Sequence, residues 1–343
     1  NYCLSEKTNI AQCRDVARHG LPEEPAFSGV FMRQLRTGFI TLGKAGKMKE
    51  GGIAGHLVAL FTIVVWGTTF VSTKVLLRDL VPVEILFFRF LIGLAALTFI
   101  YPHRMKLRER KHELLFMGAG LTGITLYFLL ENIALSFTLA SKVGVICSLA
   151  PFFTALVAYL FLRGEGLTCA FFTGFVISIA GVVLLSLHTG SRFELNPLGA
   201  CLALGASIVW AFYAVLTRKI GMLGYHPVQV VRRSFFWGLL FMLPVLAPLG
   251  FRMDFSWLNR PLVLANILFL GCCASALCFV TWNVAVRLIG AVKSSAYIYL
   301  IPVVTVTGAV FVLHETLTPA GCAGIALTLL GLAVSEGKWE KFR

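Results

Sequence analysis

The sequence predicts an all-α membrane protein of ten transmembrane helices, arranged as two inverted five-helix repeats. Three observations predict it. Of 343 residues, 58% are hydrophobic and 13% are charged, against roughly 25% charged in soluble domains. Ten apolar segments succeed one another through short loops, and each approaches the roughly 20 residues that a helix needs to cross about 30 Å of hydrocarbon. The two halves also match each other along their length. A barrel would need short alternating strands, so in lipid the backbone groups of these segments must be satisfied within helices.

Residues 1–47 are polar, irregular and unlike the apolar remainder of the chain. They lack the charged start, apolar stretch and small-residue cleavage site of a signal peptide. They read as a leader that is not part of the native protein, with Met48 a natural start. Gly38 and Gly43-Lys44 imitate a phosphate-binding loop until Ala45 takes the place of the required Ser or Thr. No apolar strand precedes them, so neither a nucleotide site nor ATP drive is expected. The ten spans are 57–76, 83–101, 114–135, 143–162, 169–187, 198–217, 230–249, 262–286, 294–313 and 319–335. The first repeat covers 56–187, the second 198–335, and a tail occupies 336–343.

The chain carries 30 Lys and Arg against 16 Asp and Glu, a formal charge of +14. A nucleic-acid partner is not implied, because the basic residues lie mostly between or beside apolar spans. One set of alternate loops with the tail holds thirteen Lys and Arg, the other set five, and the run HRMKLRERKHE alone supplies five. The positive-inside bias then puts both termini in the cytoplasm of a cell that carries the protein as a multi-pass cell-membrane protein. Nine Cys are scattered, mostly singly in apolar stretches. Without paired ligand spacing they read as small buried apolar residues, and neither a metal nor a cofactor is expected.

Trp66 and Lys74 match Trp210 and Arg218 at an offset of 144, and Pro82 matches Pro227 at 145. Asn132, Lys142, Pro151 and Thr154 match Asn283, Lys293, Pro302 and Thr305 at 151, while Glu165, Gly174 and Gly181 match Glu315, Gly324 and Gly331 at 150. Five spans per half is an odd number, so the second half inserts upside down relative to the first, the architecture on which alternating access is commonly built.

The runs SLAPFFTALVAYLFLRGE and YLIPVVTVTGAVFVLHE, with VVWGTTFVSTK and SIVWAFYAVLTRK, resemble the EamA family of the drug/metabolite transporter superfamily. The resemblance covers 56–335. It implies ten helices around a central cavity between the halves and the transport of a small solute. Similar proteins export amino acids, other metabolites, nucleotide-related solutes or drugs.

Candidate cavity residues are those that are costly to hold in lipid. Pro151 and Pro302 fall eight or nine residues into spans four and nine, where a proline frees a backbone carbonyl; Ser148 and Thr154 flank the first, Tyr299 and Thr305 the second. They line a cavity or make a packing kink. Ionisable groups within hydrocarbon default to functional hypotheses. Arg89 and Glu131 lie at similar depths and are expected to pair, with Lys74 a second partner for Glu131. Glu131 is then a structural ion, a contact for a cationic group, or the carrier of a coupling proton. Its mirror position is Trp282. Arg232 and Arg233 have no nearby acid in sequence and are either interfacial or a basic vestibule. Trp66 and Trp210 sit near mid-membrane, where a buried indole N–H wants a partner, and Trp282 and Tyr213 join them. Asn132 and Asn283 must hydrogen-bond across helices or to water. Gly174, Gly181, Gly324 and Gly331 fit close helix packing.

The expected function is a membrane transporter of small metabolites, amino-acid-like or other organic solutes, acting by alternating access and exporting them. An intramembrane lipid or prenyl enzyme would need clustered acids, and no span holds two carboxylates. A scaffold or sensor would need a soluble signalling domain.

Overall fold

The computed structural model describes residues 53–161, 169–187, 197–252, 255–289, 294, 297–315 and 318–336. The leader with its Gly38–Lys44 run and the tail beyond 336 lie outside these residues. Every element among the described residues is helical. In order they are α1 (Ile53–Leu76), α2 (Pro82–Ile100), α3 (His112–Gly120), a π-helical stretch (Leu121–Leu126), α4 (Tyr127–Phe137), α5 (Ala140–Cys147), α6 (Ala150–Phe161) and α7 (Cys169–Leu187). Then come α8 (Pro197–Met222), α9 (Pro227–Leu246), a 3₁₀ turn (Ser256–Asn259), α10 (Pro261–Leu268), a second π stretch (Phe269–Leu277), α11 (Cys278–Ile289), a 3₁₀ turn (Tyr297–Leu300), α12 (Ile301–Leu313) and α13 (Pro319–Glu336).

Among the described residues, seven runs are long and apolar enough to cross a membrane: α1, α2, His112–Phe137, Ala140–Phe161, α8, α9 and Pro261–Ile289. Three shorter apolar runs, Phe172–Gly181, Ile301–Leu313 and Pro319–Gly331, accompany them. The helices α2, α8, α9, α10 and α13 all begin on proline. That is where its fixed φ suits a first turn and its missing N–H is no loss.

Two expectations about helix shape need correction. Pro151 and Pro302 do not kink continuous helices; each stands second in a helix that restarts there, α6 after α5 and α12 after the 3₁₀ turn Tyr297–Leu300. The proline ring clashes with the carbonyl four residues back, so the chain breaks into short turns. Ser148 N–H donates to Gly144 O at 3.1 Å and Leu149 N–H to Ile146 O at 3.1 Å. Within the expected span 294–313, the 3₁₀ turn Tyr297–Leu300 leads into α12, Ile301–Leu313.

Helices cross closely where glycine removes the side chain. A Cβ built on Gly120 would meet Gly238 N and Ser234 O of α9 at 2.7 Å, and one on Gly271 would meet Ile92 of α2 at 2.7 Å and Arg89 O at 3.1 Å. Each π stretch begins within a residue or two of one of these crossings. Thr125 Oγ1 donates to Gly238 O at 2.8 Å. The helices α7 and α13 pack in the same manner. A Cβ on Gly181 would lie 2.5 Å from Thr328 N and one on Gly331 2.5 Å from Ser178 N, close packing as the glycine spacing predicts. The core between these crossings is aromatic, with Phe90 against Phe235 at 4.9 Å and Phe235 against Phe279 at 5.3 Å between ring centroids.

Candidate functional site

A cavity opens beside the aromatic core, lined by Trp66, Thr69 and Phe70 of α1, Tyr127, Phe128 and Glu131 of α4, Trp210 of α8, and Cys147, Ala150, Ile298 and Ile301. The last four bracket the two proline breaks. Cys147 and Ala150 flank the first, Ile298 and Ile301 the second, and each pair is related by the same 151-residue offset that matches the prolines. Trp66 and Trp210, matched at 144, meet edge-on at 5.5 Å and 89°. The prolines therefore act on the cavity through their neighbours, not by lining it.

The rest of the wall is unequal. Residues 127, 128 and 131 line the cavity, but at the position matching Glu131 stands Trp282, almost wholly buried at 1% exposure and 5.2 Å from Trp66. One half thus contributes a carboxylate where the other contributes a packed indole.

Glu131 is 1% exposed and Arg89 is fully buried. The expected ion pair between them is not formed. Arg89 Nε donates to Ser275 Oγ at 3.1 Å, and its guanidinium lies 4.4 Å from the Phe128 centroid and 5.2 Å from that of Phe90. Both terminal nitrogens of Arg89 and Oε1 of Glu131 have no hydrogen-bond partner. Two opposite charges in a low-dielectric interior still attract without touching, and the Tyr127 hydroxyl is the other polar neighbour of the carboxylate. Lys74 is not a partner for Glu131 either. Its Nζ donates to Leu135 O at 2.5 Å and Thr138 O at 2.8 Å, because the last carbonyls of α4 are unsatisfied and attract a cation.

Arg232 and Arg233 acquire partners that sequence distance concealed. Arg233 grips Glu113 of α3 through Nε at 2.9 Å and Nη2 at 2.8 Å, and the Trp237 indole also donates to Glu113. Arg232 donates to Tyr101 O at 2.7 Å and His103 O at 2.5 Å, just past the end of α2. Neither arginine lines the cavity.

The remaining candidates are dispersed around it. Trp66 gives its indole N–H to Ala274 O at 3.0 Å, a backbone partner and not the cavity. Tyr213 lies tilted against Trp210, 5.0 Å away at 50°, and fills the notch left by Gly123. Asn132 reaches across to Pro82 O at 3.2 Å, whereas Asn283 bonds back to Phe279 O of its own helix at 2.7 Å, so the two asparagines are not used alike. Ser148 closes its own turn on Val145 O at 2.6 Å. The side chain of Tyr299 lies outside the described residues. Sequence reasoning missed Thr69, Phe70, Tyr127 and Phe128, although helical spacing of three and four residues from Trp66 and Glu131 places all four on the same faces.

The profile of the EamA-like transporter family matches residues 53–187 and again 197–336. An "Uncharacterized transporter" of Archaeoglobus fulgidus is 26% identical over 82% of this chain and 97% of its own length. A "Probable terminal-alkyne amino-acid exporter" of Streptantibioticus cattleyicolor is 27% identical over 80% of this chain and 90% of its own. A "Probable amino-acid metabolite efflux pump" of Salmonella typhimurium is 27% identical over 81% of this chain and 93% of its own. A crystal structure with 20% identity superposes on 82% of this chain and 96% of its own with a TM-score of 0.61, a likeness of fold. With two profile matches that together cover most of the residues, the chain belongs to the EamA-like transporter family.

Proposed function

We propose that the protein exports small amino-acid-like or related organic metabolites across the cell membrane, by alternating access between two inverted five-helix halves, 56–187 and 198–335. The cavity carries this reading. It lies where both proline breaks meet, and Trp66 with Trp210, Cys147 with Ile298 and Ala150 with Ile301 line it as offset-matched pairs. A solute site at the junction of inverted halves, beside broken helices, is the arrangement on which such transport is built. Both termini face the cytoplasm in this scheme. The relatives named as amino-acid exporter and amino-acid metabolite efflux pump support the solute class and the direction.

Glu131 is the one carboxylate among the described lining residues, and we assign the coupling role to it, through loss and gain of its proton as the cavity changes sides. An export screen of cell metabolites, with and without the protein and again with Glu131→Gln, tests the reading. A solute whose efflux depends on the protein and falls with the substitution is the expected result. If no metabolite responds to the protein, transport itself is excluded. Counterflow in proteoliposomes that is unchanged between pH 6 and 8 would remove the proton role alone.

A further inference from the structure

The basic side chains that the sequence singled out do not line the cavity. Lys74 holds the end of α4, Arg232 and Arg233 hold backbone carbonyls and Glu113, and Arg89 bonds Ser275 through Nε with its guanidinium 4.4 Å from the Phe128 centroid. The described lining contains no Lys, Arg or His. What a solute meets there is one carboxylate, whose Oε1 has no hydrogen-bond partner, among the rings of Trp66, Trp210, Tyr127 and Phe128. Aromatic faces attract a cation and tolerate an apolar body. A buried carboxylate with an orphan oxygen leaves a desolvation cost that a donor relieves, and an ammonium supplies three N–H groups.

We propose that the cavity recognises its solute by an ammonium group, taken by Glu131 and enclosed by Trp66, Trp210 and Tyr127, and that it makes no demand on a solute carboxylate. The solute class is then primary amines with an apolar body, amino acids being one subset. This deepens the transport reading and rests on it. Arg89 does not reverse the preference, since it is not among the lining residues and its charge offsets that of Glu131 from a distance.

The test uses the full chain in proteoliposomes preloaded with radiolabelled phenylalanine, with phenylalanine, phenethylamine or N-acetylphenylalanine as external competitors for exchange. Phenethylamine is expected to compete within a few-fold of phenylalanine, and N-acetylphenylalanine to be weaker by at least about tenfold, the loss of a charge-assisted hydrogen bond. Glu131→Gln should erase the difference among the three, and Glu131→Asp should keep it. If phenethylamine fails to compete while phenylalanine is exchanged, the carboxylate is being read and the proposal is overturned. Equal competition by the N-acetyl compound overturns it too, and in both cases transport stands. No exchange of phenylalanine, with no binding of phenethylamine by quenching of tryptophan fluorescence, also overturns the ammonium proposal; the unbiased export screen then decides separately whether transport survives. The three-compound comparison needs no variant, so a misfolded Glu131→Gln does not decide the outcome.

Discussion

Arg89 lies with its guanidinium 4.4 Å from the centroid of Phe128, a ring that lines the same cavity as Glu131 while Arg89 itself does not. The arrangement sets the two charges in one apolar interior without joining them. Each offsets part of the desolvation cost of the other, and neither is neutralised by contact.

A double-substitution cycle measures that coupling. Arg89→Met leaves Glu131 as an uncompensated buried acid and is expected to cost about 3 kcal/mol, the low end for breaking a buried pair. Glu131→Gln alone strands Arg89 similarly. The double variant should recover more than half of the summed loss, read from denaturant melts of detergent-solubilised protein. Strictly additive losses would mean that the two charges do not interact.

At the far end of α4 a second device ties distant segments together. The Glu315 carboxylate accepts from Ala140 N–H at 3.0 Å and Ser141 Oγ at 2.6 Å, at the first turn of α5, where backbone donors are unpaired and an anion is favoured. Lys74 and Lys142 are its cationic neighbours. In an alternating-access cycle such a tie must open whenever this end opens. Glu315→Gln is expected to speed hydrogen exchange at the Ala140 and Ser141 amides by about tenfold or more, the loss of a charge-assisted bond. Exchange at α2 amides serves as the internal control. Unchanged protection at 140 and 141 would remove Glu315 as the tie.

How much of this was legible in the sequence depends on the range of the signal. Apolar length fixed the positions of the helical runs, and the repeat offset singled out Trp66 with Trp210 and Pro151 with Pro302, all of which fall at or beside one cavity. Partners across the bundle were not legible. Glu113 is 120 residues from Arg233, and nothing local in either helix indicates that they meet. Arg89 and Glu131 were expected to pair because their depths agree, but depth says nothing of rotation about the helix axis, and the guanidinium lies against Phe128 and Ser275 instead. The prolines misled in one respect: a proline in mid-span reads as a kink, whereas the repeated break opens the helix altogether and hands the lining to Ala150 and Ile301.

Glycine positions separate packing from tolerance. Gly181→Val would drive methyl groups into the Thr328 backbone, where even a Cβ lies 2.5 Å from the nitrogen. Overpacking of this kind costs about 1–3 kcal/mol, more where backbone must move, and Gly331→Val should behave alike against Ser178. Gly221, near the end of α8, has nothing within 4 Å of a built Cβ, so Gly221→Ala should stabilise by about 0.5–1 kcal/mol through helix propensity. Thermal melts of the three variants in one detergent test the contrast, and a tolerated Gly181→Val would refute the close crossing of α7 and α13.

His226, in the turn before α9, stacks on Tyr101 at 4.5 Å and 7°, and its Nδ1 has no hydrogen-bond partner. Burial, followed by the nearby positive charge of Arg287 and by His103, holds its imidazole below the ordinary value of 6.5. The unfolded chain therefore takes up a proton at a pH where the folded chain resists it, so the unfolded state binds more protons and stability rises with pH through this range. The contribution is complete above about pH 6.5 and declines as the pH drops from there toward the folded value. Melting temperatures from pH 7.5 to 5 should fall more steeply for the native protein than for His226→Gln, which keeps a polar side chain but cannot charge. Arg287→Gln should shrink the slope only in part, since burial is the larger cause. Parallel pH profiles for the native protein and His226→Gln would show that this histidine does not titrate with folding.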